Sequence, residues 1–443
     1  MANPVKSQAV RVFTRLFLPA STFVVLLAIG KIHAEFIGDY DFSRSTRFLW
    51  VLVFAFLSIC AGYAFGFPDT SSVKLPIQGA AVAAVIPSLA FALFQTAAGS
   101  FLLPRFFLVT SAPVVTAVFL VASRIGRGVA HSSFLGERVL LLAEKNEFSQ
   151  VEKDLSRHVE VPFVLVPPFE SENEQNPEEF ARRCEAEKVT TIVFSSSYVE
   201  SEFSKMLLQR LHSEGVRIRD ISHFYDEYFG KVPIRELEFT SLLFDVREVH
   251  QRLYSRLSRL LDISVSFIGC LLLIAVIPLV FIGNFFGNRG PLFFSQPRVG
   301  KGLKNFDILK FRSMVVGTGA SSWTTDDDPR ITTFGRWLRK SHLDEVPQFW
   351  NILRGDLSIV GPRPEQPHYV EQLNEQIPFY RMRHIVRPGL TGWAQVNYPY
   401  GSNATDAYEK LQYEFWYLRH QGLGLDMKIL ARTLRHVIGF RGR

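Results

Sequence analysis

Cysteine is scarce in this chain: Cys60, Cys184 and Cys270 are the three in 443 residues, and they lie far apart. Their spacing excludes a disulfide framework and a cysteine-built metal centre, and two of them fall in apolar segments, where they read as small buried side chains. No small-residue cleavage site follows the basic N-terminal start, so the first apolar stretch reads as an uncleaved membrane anchor. Glycine is absent from Ala143-Glu144-Lys145-Asn146-Glu147-Phe148, the turn after the first strand pattern of the middle region. Without glycines the backbone there cannot approach a pyrophosphate closely, which argues against nucleotide binding at that turn. Acid is short in one region and base in another: residues 284–443 hold 22 basic against 14 acidic side chains, whereas 131–250 hold 14 against 23. A basic region beside membrane sequence calls for anionic lipid, phosphate or nucleotide partners. Nucleic acid is disfavoured, because these cations are spread through hydrophobic, membrane-adjacent sequence.

Apolar sequence is abundant and grouped in blocks, with 47% of residues hydrophobic. Residues 16–29, 48–67, 79–98 and 101–122 each approach the roughly 20 residues that a helix needs to cross the hydrocarbon layer, the first being short and the last carrying Arg105. The last two are joined so closely that they read as a helical hairpin. Lys6, Arg11 and Arg15 precede the first block and Arg124, Arg127 and Arg138 follow the fourth, the pattern of an even number of spans with both ends cytoplasmic. From Arg138 the chain reads as a soluble α/β domain, with strands at 139–143, 161–166 and 191–195 and a helix at 203–212. Residues 170–179 are acidic and polar and read as a solvated loop. A fifth apolar segment, 263–287, is long enough to span, yet Arg252, Arg256 and Arg259 stand before it and Arg289, Arg298, Lys301 and Lys304 after it. One crossing cannot put both flanks on the cytoplasmic side. Pro278, which removes an intrahelical hydrogen bond, offers a break at which the helix turns back to the side it came from.

Downstream, Leu338-Arg339-Lys340-Ser341-His342-Leu343-Asp344-Glu345-Val346-Pro347 sets two adjacent carboxylates among cations. Pro347 suits the first turn of a new helix, which puts Asp344 and Glu345 at a helix N-terminus, where backbone N–H groups favour ionised carboxylates and phosphate. An isolated pair of this kind ordinarily does no more than cap a helix. Its surroundings change that reading. With Lys310-Phe311-Arg312-Ser313-Met314, Gly361-Pro362-Arg363-Pro364 and Arg387-Pro388-Gly389-Leu390-Thr391-Gly392-Trp393-Ala394-Gln395-Val396-Asn397 it makes four motifs in order. Together they resemble the catalytic core of the bacterial sugar transferases, also called monotopic phosphoglycosyl transferases. The resemblance runs from about Ser255 to the C-terminus. It is greatest to members that carry four extra N-terminal membrane helices and transfer a hexose-1-phosphate from a UDP-sugar to undecaprenyl phosphate, releasing UMP.

The resemblance implies that Asp344 is the nucleophile at the phosphate nearest the sugar, that Glu345 is a ligand to Mg²⁺, and that an aspartyl-phosphosugar links donor and acceptor. It also implies phosphate binding by Lys310, Arg339, Arg363 and Arg387, a role to which fixed positive charge is suited. Arg312 stays undecided between that role and another. Trp393 reads equally as an interface anchor or a substrate contact. Gly389 and Gly392 read as permitting tight turns, and Asp326-Asp327-Asp328 before Pro329 as an exposed turn rather than a metal cluster. His342 is left out, since an ionised aspartate needs no base. Residues 425–440 suit an amphipathic surface helix or one packed on the catalytic domain.

The expected architecture is a membrane protein in three parts. Residues 1–130 form an α-helical transmembrane bundle of four helices, 131–250 a cytoplasmic Rossmann-like α/β domain lacking the glycine-rich loop, and 251–443 an α/β catalytic domain with a re-entrant membrane helix. The expected setting is the bacterial inner membrane, with catalysis on the cytoplasmic face among membrane lipids. The members that it resembles include dimers, and nothing in the residues fixes the oligomer. Glucose, galactose and N-acetylated hexoses stay open as the sugar, and exopolysaccharide, capsule and O-antigen as the pathway. The rival class is a non-catalytic membrane scaffold that only binds lipid phosphate, disfavoured because it would need no unmasked nucleophile. A polytopic transporter is disfavoured because about half of the chain reads as soluble.

Overall fold

The computed structural model describes residues 4–43, 45–65, 67, 76–100, 102–134, 137–143, 145–157, 163–167, 177–195, 198, 202–234, 248–288, 290–315, 328–398 and 403–438. The chain divides into two compact units, Met1–Phe229 and Gly230–Arg443.

Four long helices open the first unit: α1 (Pro4–His33), α2 (Thr46–Ala64), α3 (Pro76–Ala98) and α4 (Arg105–Phe134). α1 and α3 each pack against both α2 and α4, which closes a bundle. Its interior is aromatic and small: Phe54 meets Phe91 and Phe107 with ring centroids 5.8 and 5.4 Å apart, and Ala80, Ala83 and Ala84 are buried on α3. Gly62 lies so near Phe119 that an added Cβ would come within 2.8 Å of the ring. Small residues let helices approach in this way where lipid offers no hydrophobic drive between them. The outward side chains, among them Leu49, Phe56, Leu93 and Val109, are apolar and exposed, as a lipid-facing surface requires. Among the described residues five helices are long and apolar enough to cross a membrane, four of them here and the fifth in the second unit. Arg105 stands at the first residue of α4, so its charge is kept to the helix end. Cys60 is exposed on α2, contrary to the expectation of a buried side chain, because its face of the helix points away from the bundle.

The α/β part of this unit is a four-stranded parallel sheet in the order β2-β1-β3-β4, from β1 (Arg138–Leu142), β2 (Val164–Val166), β3 (Thr191–Phe194) and β4 (Arg217–Asp220). Successive residues of β1 serve opposite faces. Leu140 and Leu142 pack with Phe180, Cys184, Leu207 and Leu211 of α6 (Pro177–Ala186) and α7 (Glu202–Ser213), whereas Val139 and Leu141 pack with Val151 and Phe224 of α5 (Lys145–Arg157) and α8 (Ile221–Tyr228). A strand covered on both faces has no polar side to show, which is why β1 reads as one apolar run. β4, Arg217-Ile218-Arg219-Asp220, is missing from the sequence reading because an edge strand with three charges carries no such run. Burial pushes the Cys184 thiol up to about 12, so it is an inert core side chain.

The second unit is built on α9 (Glu248–Gly287), a 40-residue helix. Pro278 lies inside it, where proline removes one intrahelical hydrogen bond without ending the element. A hairpin of β5 (Phe293–Val299) and β6 (Asn305–Phe311) follows, then short helices α10 (Thr333–Lys340) and α11 (Gln348–Arg354). β7 (Ser358–Val360) pairs in parallel with β8 (Gly389–Thr391), with α12 (Pro367–Gln376) between them. The unit ends in α13 (Trp393–Asn397), α14 (Ala404–His420) and α15 (Leu423–Ile438). α15 buries Asp426 and Ile429 in this unit while Met427 and Leu434 stay exposed, so it is the packed helix of the two alternatives.

Candidate active site

Thr332 caps α10, its Oγ1 accepting from the Gly335 N–H at 2.9 Å, and the chain then turns at His342, whose φ of 55° is left-handed. Leu343–Glu345 follows as a single 3-10 turn, with the Glu345 N–H bonded to the His342 carbonyl and the Val346 N–H to that of Leu343. The acidic pair thus stands in a 3-10 turn that leads directly into α11, at the N-terminal end of that helix as its sequence suggested. Pro347 is the N-cap of α11, a position where its missing N–H costs no intrahelical bond.

β6 is fastened alongside. Asn351 of α11 donates through Nδ2 to the Asp307 carbonyl at 2.8 Å and accepts the Leu309 N–H at 2.9 Å. That clamp brings Lys310 Nζ to 2.7 Å from Glu345 Oε1, and Arg363 Nη2 stands 3.4 Å from the same oxygen. Arg339 donates from Nε to Ser313 Oγ at 3.0 Å and acts on Asp344 through space. Three of the four predicted phosphate-binding cations therefore gather about the pair. Arg387 acts through space on Asp262 of α9 and is not among the leading cations at Asp344 or Glu345. Its backbone is nevertheless locked to the Arg363 loop. The Ser358 N–H meets the Pro388 carbonyl, the Gly361 N–H that of Thr391, and the Gly389 N–H that of Pro362.

This interlock explains three glycines. A Cβ on Gly361 would stand 2.5 Å from the Arg387 carbonyl oxygen, one on Gly389 2.1 Å from the Gly361 nitrogen, and one on Gly392 2.2 Å from the Gly361 carbonyl oxygen. Close passage of two backbones, rather than a turn, is what requires them.

The two carboxylates differ. Asp344 is 8% exposed and accepts no hydrogen bond from any described residue, whereas Glu345 is held by Lys310 and Arg363. Burial pushes the Asp344 carboxyl up to about 6, with Lys310 opposing and the Glu345 charge adding to the rise. Burial works the same way on Glu345, but Lys310 and Arg363 outweigh it and hold its carboxylate well below the usual range.

Arg312 is settled by its cage. It is buried, and its guanidinium donates to the carbonyls of Pro291, Asn288 and Met314 and to the side-chain oxygens of Asn284 and Asn288. These donors are therefore spent on tying β6 to the end of α9, not offered to phosphate. Trp393 is neither an interface anchor nor an open contact: it is buried, donates from Nε1 to the Gly230 carbonyl at 2.8 Å and stacks on Trp416. Asp328 is buried rather than exposed, because Arg330 grips both of its carboxylate oxygens, at 2.9 and 2.6 Å, and holds its acidity at about 2. Asp326 and Asp327 lie outside the described residues.

Ser313, Gln348 and Asn351 escaped the sequence reading. Gln348 and Asn351 follow Asp344 by four and seven residues, the spacing of one helical face, and that periodicity was the available signal. No group of three or more His, Cys, Asp or Glu side chains is placed to hold a metal among the described residues. Glu345 Oε2, however, has no hydrogen-bond partner among them. A site with one or two carboxylates suits Mg²⁺, which takes most of its ligands from substrate phosphates and water.

The sequence pattern of the bacterial sugar transferase family matches residues 253–440. Over 152 residues the chain is 41% identical to the uncharacterized sugar transferase EpsL of Bacillus subtilis, 34% of this chain and 72% of that one. It is 45% identical over 159 residues to the UDP-N-acetylgalactosamine-undecaprenyl-phosphate N-acetylgalactosaminephosphotransferase of Aeromonas hydrophila, 35% of this chain and 38% of the relative. To the undecaprenyl-phosphate glucose phosphotransferase of Komagataeibacter xylinus it is 28% identical over 340 residues, 73% of this chain and 64% of the relative. The chain belongs to the bacterial sugar transferase family. It spans 38% and 64% of the length of the last two relatives.

Proposed function

We propose that this protein transfers a sugar-1-phosphate from a UDP-sugar to undecaprenyl phosphate through a covalent enzyme intermediate. The observation that carries the reading is the unequal pair: an unbonded Asp344 carboxylate beside a Glu345 fixed by two cations. Asp344 Oδ attacks the phosphorus nearest the sugar, the bond from that phosphorus to the UMP oxygen breaks, and UMP departs. An oxygen of the lipid phosphate then attacks the same phosphorus and expels Asp344, leaving the lipid diphosphosugar. Lys310, Arg339 and Arg363 offset the charge that gathers on the phosphoryl oxygens, and Arg387 supports Arg363 through the paired loops. Bound Mg²⁺ would be held by Glu345 with phosphate oxygens and would supply further charge neutralisation. Relatives named for glucose and N-acetylgalactosamine transfer support both sugars. Purified protein in detergent with Mg²⁺ and undecaprenyl phosphate is expected to release UMP from one member of a panel of UDP-glucose, UDP-galactose and their N-acetylated forms. Release from none would sink the proposal.

The membrane placement in this reading is the cytoplasmic face of the inner membrane, with the α/β part of the first unit a cytoplasmic Rossmann-like domain and α9 re-entrant. Support comes from the polar anchors of α9. Arg259 donates to the Ile352 and Leu353 carbonyls at 2.7 Å, Asp262 accepts from Ser358, and Asn288 holds the Arg312 carbonyl, all within one compact unit. From Arg259 to Asn288 a straight helix would run about 44 Å, beyond the roughly 30 Å of hydrocarbon, so a crossing would divide this unit between two surfaces. Trp337 and Trp350, on either side of the Asp344 turn in sequence, are exposed, as aromatics at a membrane surface are. In a chain freed of Cys60, Cys184 and Cys270, single cysteines at Arg235 and Arg443 should both resist an impermeant thiol reagent in intact cells. Labelling of the second alone from outside would show a crossing.

A further inference from the structure

We infer that Gln348 is a substrate-binding residue whose side-chain amide donates to a non-bridging oxygen of the phosphoryl group that Asp344 attacks. The inference deepens the proposed function and rests on it. Gln348 is 3% exposed, and its Nε2 is fully buried with no acceptor; its amide oxygen likewise makes no hydrogen bond with any described residue. A buried amide in this state has lost water and gained nothing, so such groups are rare in folded proteins and mark functional sites. Its position is fixed by the turns that join it to the acidic pair. The N–H groups of Glu345, Val346, Phe349 and Trp350 each bond the carbonyl three residues back, so the chain keeps winding from His342 into α11. Residues three and four apart share a face on such a path, which sets Gln348 beside Glu345 and Asp344.

The neighbours narrow what the amide awaits. Glu345 Oε1 is already taken by Lys310 and Arg363, and Asn351, next along the same face, is spent on β6. What arrives beside Asp344 during the proposed reaction is a phosphoryl group, whose oxygens are strong acceptors and come within reach of any group flanking the attacking carboxylate. A neutral donor already in place there needs no rearrangement when charge builds up.

Gln348→Met tests this, because it keeps the side-chain length while removing the donor. The full-length protein in nanodiscs would be assayed for UMP release, for adduct formation with UDP-sugar alone, and for thermal unfolding. The expected result is a loss of roughly 100-fold in turnover, with adduct formation slowed equally, in a protein whose unfolding temperature is unchanged or higher. The rise in stability is the distinguishing sign, since an apolar group in place of an unsatisfied amide relieves the fold. Gln348→Asn, one methylene shorter, should recover part of the activity. Turnover within twofold of the parent in Gln348→Met would overturn the inference alone, as would a loss of activity matched by a fall in unfolding temperature. A parent that releases no UMP overturns the reading of the whole site, and this inference with it.

Discussion

Asp344→Asn should lower UMP release on the order of 10⁴-fold or more and leave thermal unfolding close to the parent's. Asparagine keeps the volume of the buried side chain, and no hydrogen bond to a described residue is lost, because Asp344 accepts none. What disappears is the anionic oxygen, and with it the phosphosugar adduct, which mass spectrometry of the parent incubated with UDP-sugar alone should detect. Glu345→Gln behaves differently. It removes the partner of Lys310 and Arg363, so activity falls with a weakened response to added Mg²⁺, while some adduct still forms. Near-normal UMP release by Asp344→Asn, or an adduct mapped to another residue, would remove Asp344 from the role. A glutamine variant with good activity and an unaltered Mg²⁺ requirement would remove Glu345 from metal binding.

The parts of this protein legible in its sequence are those that repeat a simple period or a contiguous motif. Apolar blocks gave the long helices, and the both-faces-buried run at Val139 gave the central strand of the parallel sheet. Lys310, Arg339, Arg363 and the acidic pair lie in short motifs, and three distant pieces of chain do bring those cations to the two adjacent carboxylates. The relations that escaped are ones that local sequence does not encode. Whether Arg312 binds phosphate or structure depends on Asn284 and Asn288, more than 20 residues away. Trp393 owes its burial to the Gly230 carbonyl, 163 residues upstream. The helix around Pro278 runs on for 40 residues, since proline removes a single bond and the length of the element is set by the apolar sequence on both sides of it. Asp328 does open a turn, but its burial depends on Arg330 closing on its carboxylate, which the local pattern of charges does not encode.

Arg383→Met should destabilise the second unit by about 3–5 kcal/mol, the usual penalty for removing one partner of a buried ion pair. Arg383 donates from Nε and Nη2 to the two Glu414 oxygens at 2.8 and 2.7 Å, and both side chains are about 5% exposed or less. Burial opposes charge on Arg383, yet Glu414 holds it firmly protonated; Glu414 itself is pushed above the usual carboxylate range by burial despite its partner. Without Arg383 that upward push is unopposed by the guanidinium, so the folded variant binds a proton that the unfolded chain has released. A folded pKa above the unfolded one means stability lost as pH rises through that window. The deficit in unfolding temperature should therefore be larger at pH 8 than at pH 5. Replacing both partners, Arg383→Met with Glu414→Leu, should recover most of the stability, since two apolar groups leave no stranded charge. Activity should not return with it. Arg383 Nη2 also donates to the Arg363 carbonyl at 2.9 Å, and Arg363 is one of the two cations on Glu345, so the rebuilt core lacks the donor that holds this loop. A stable double variant with parental turnover would show that the buried pair serves the fold alone, whereas a stable variant with impaired turnover ties the core of the unit to the geometry of its acidic pair.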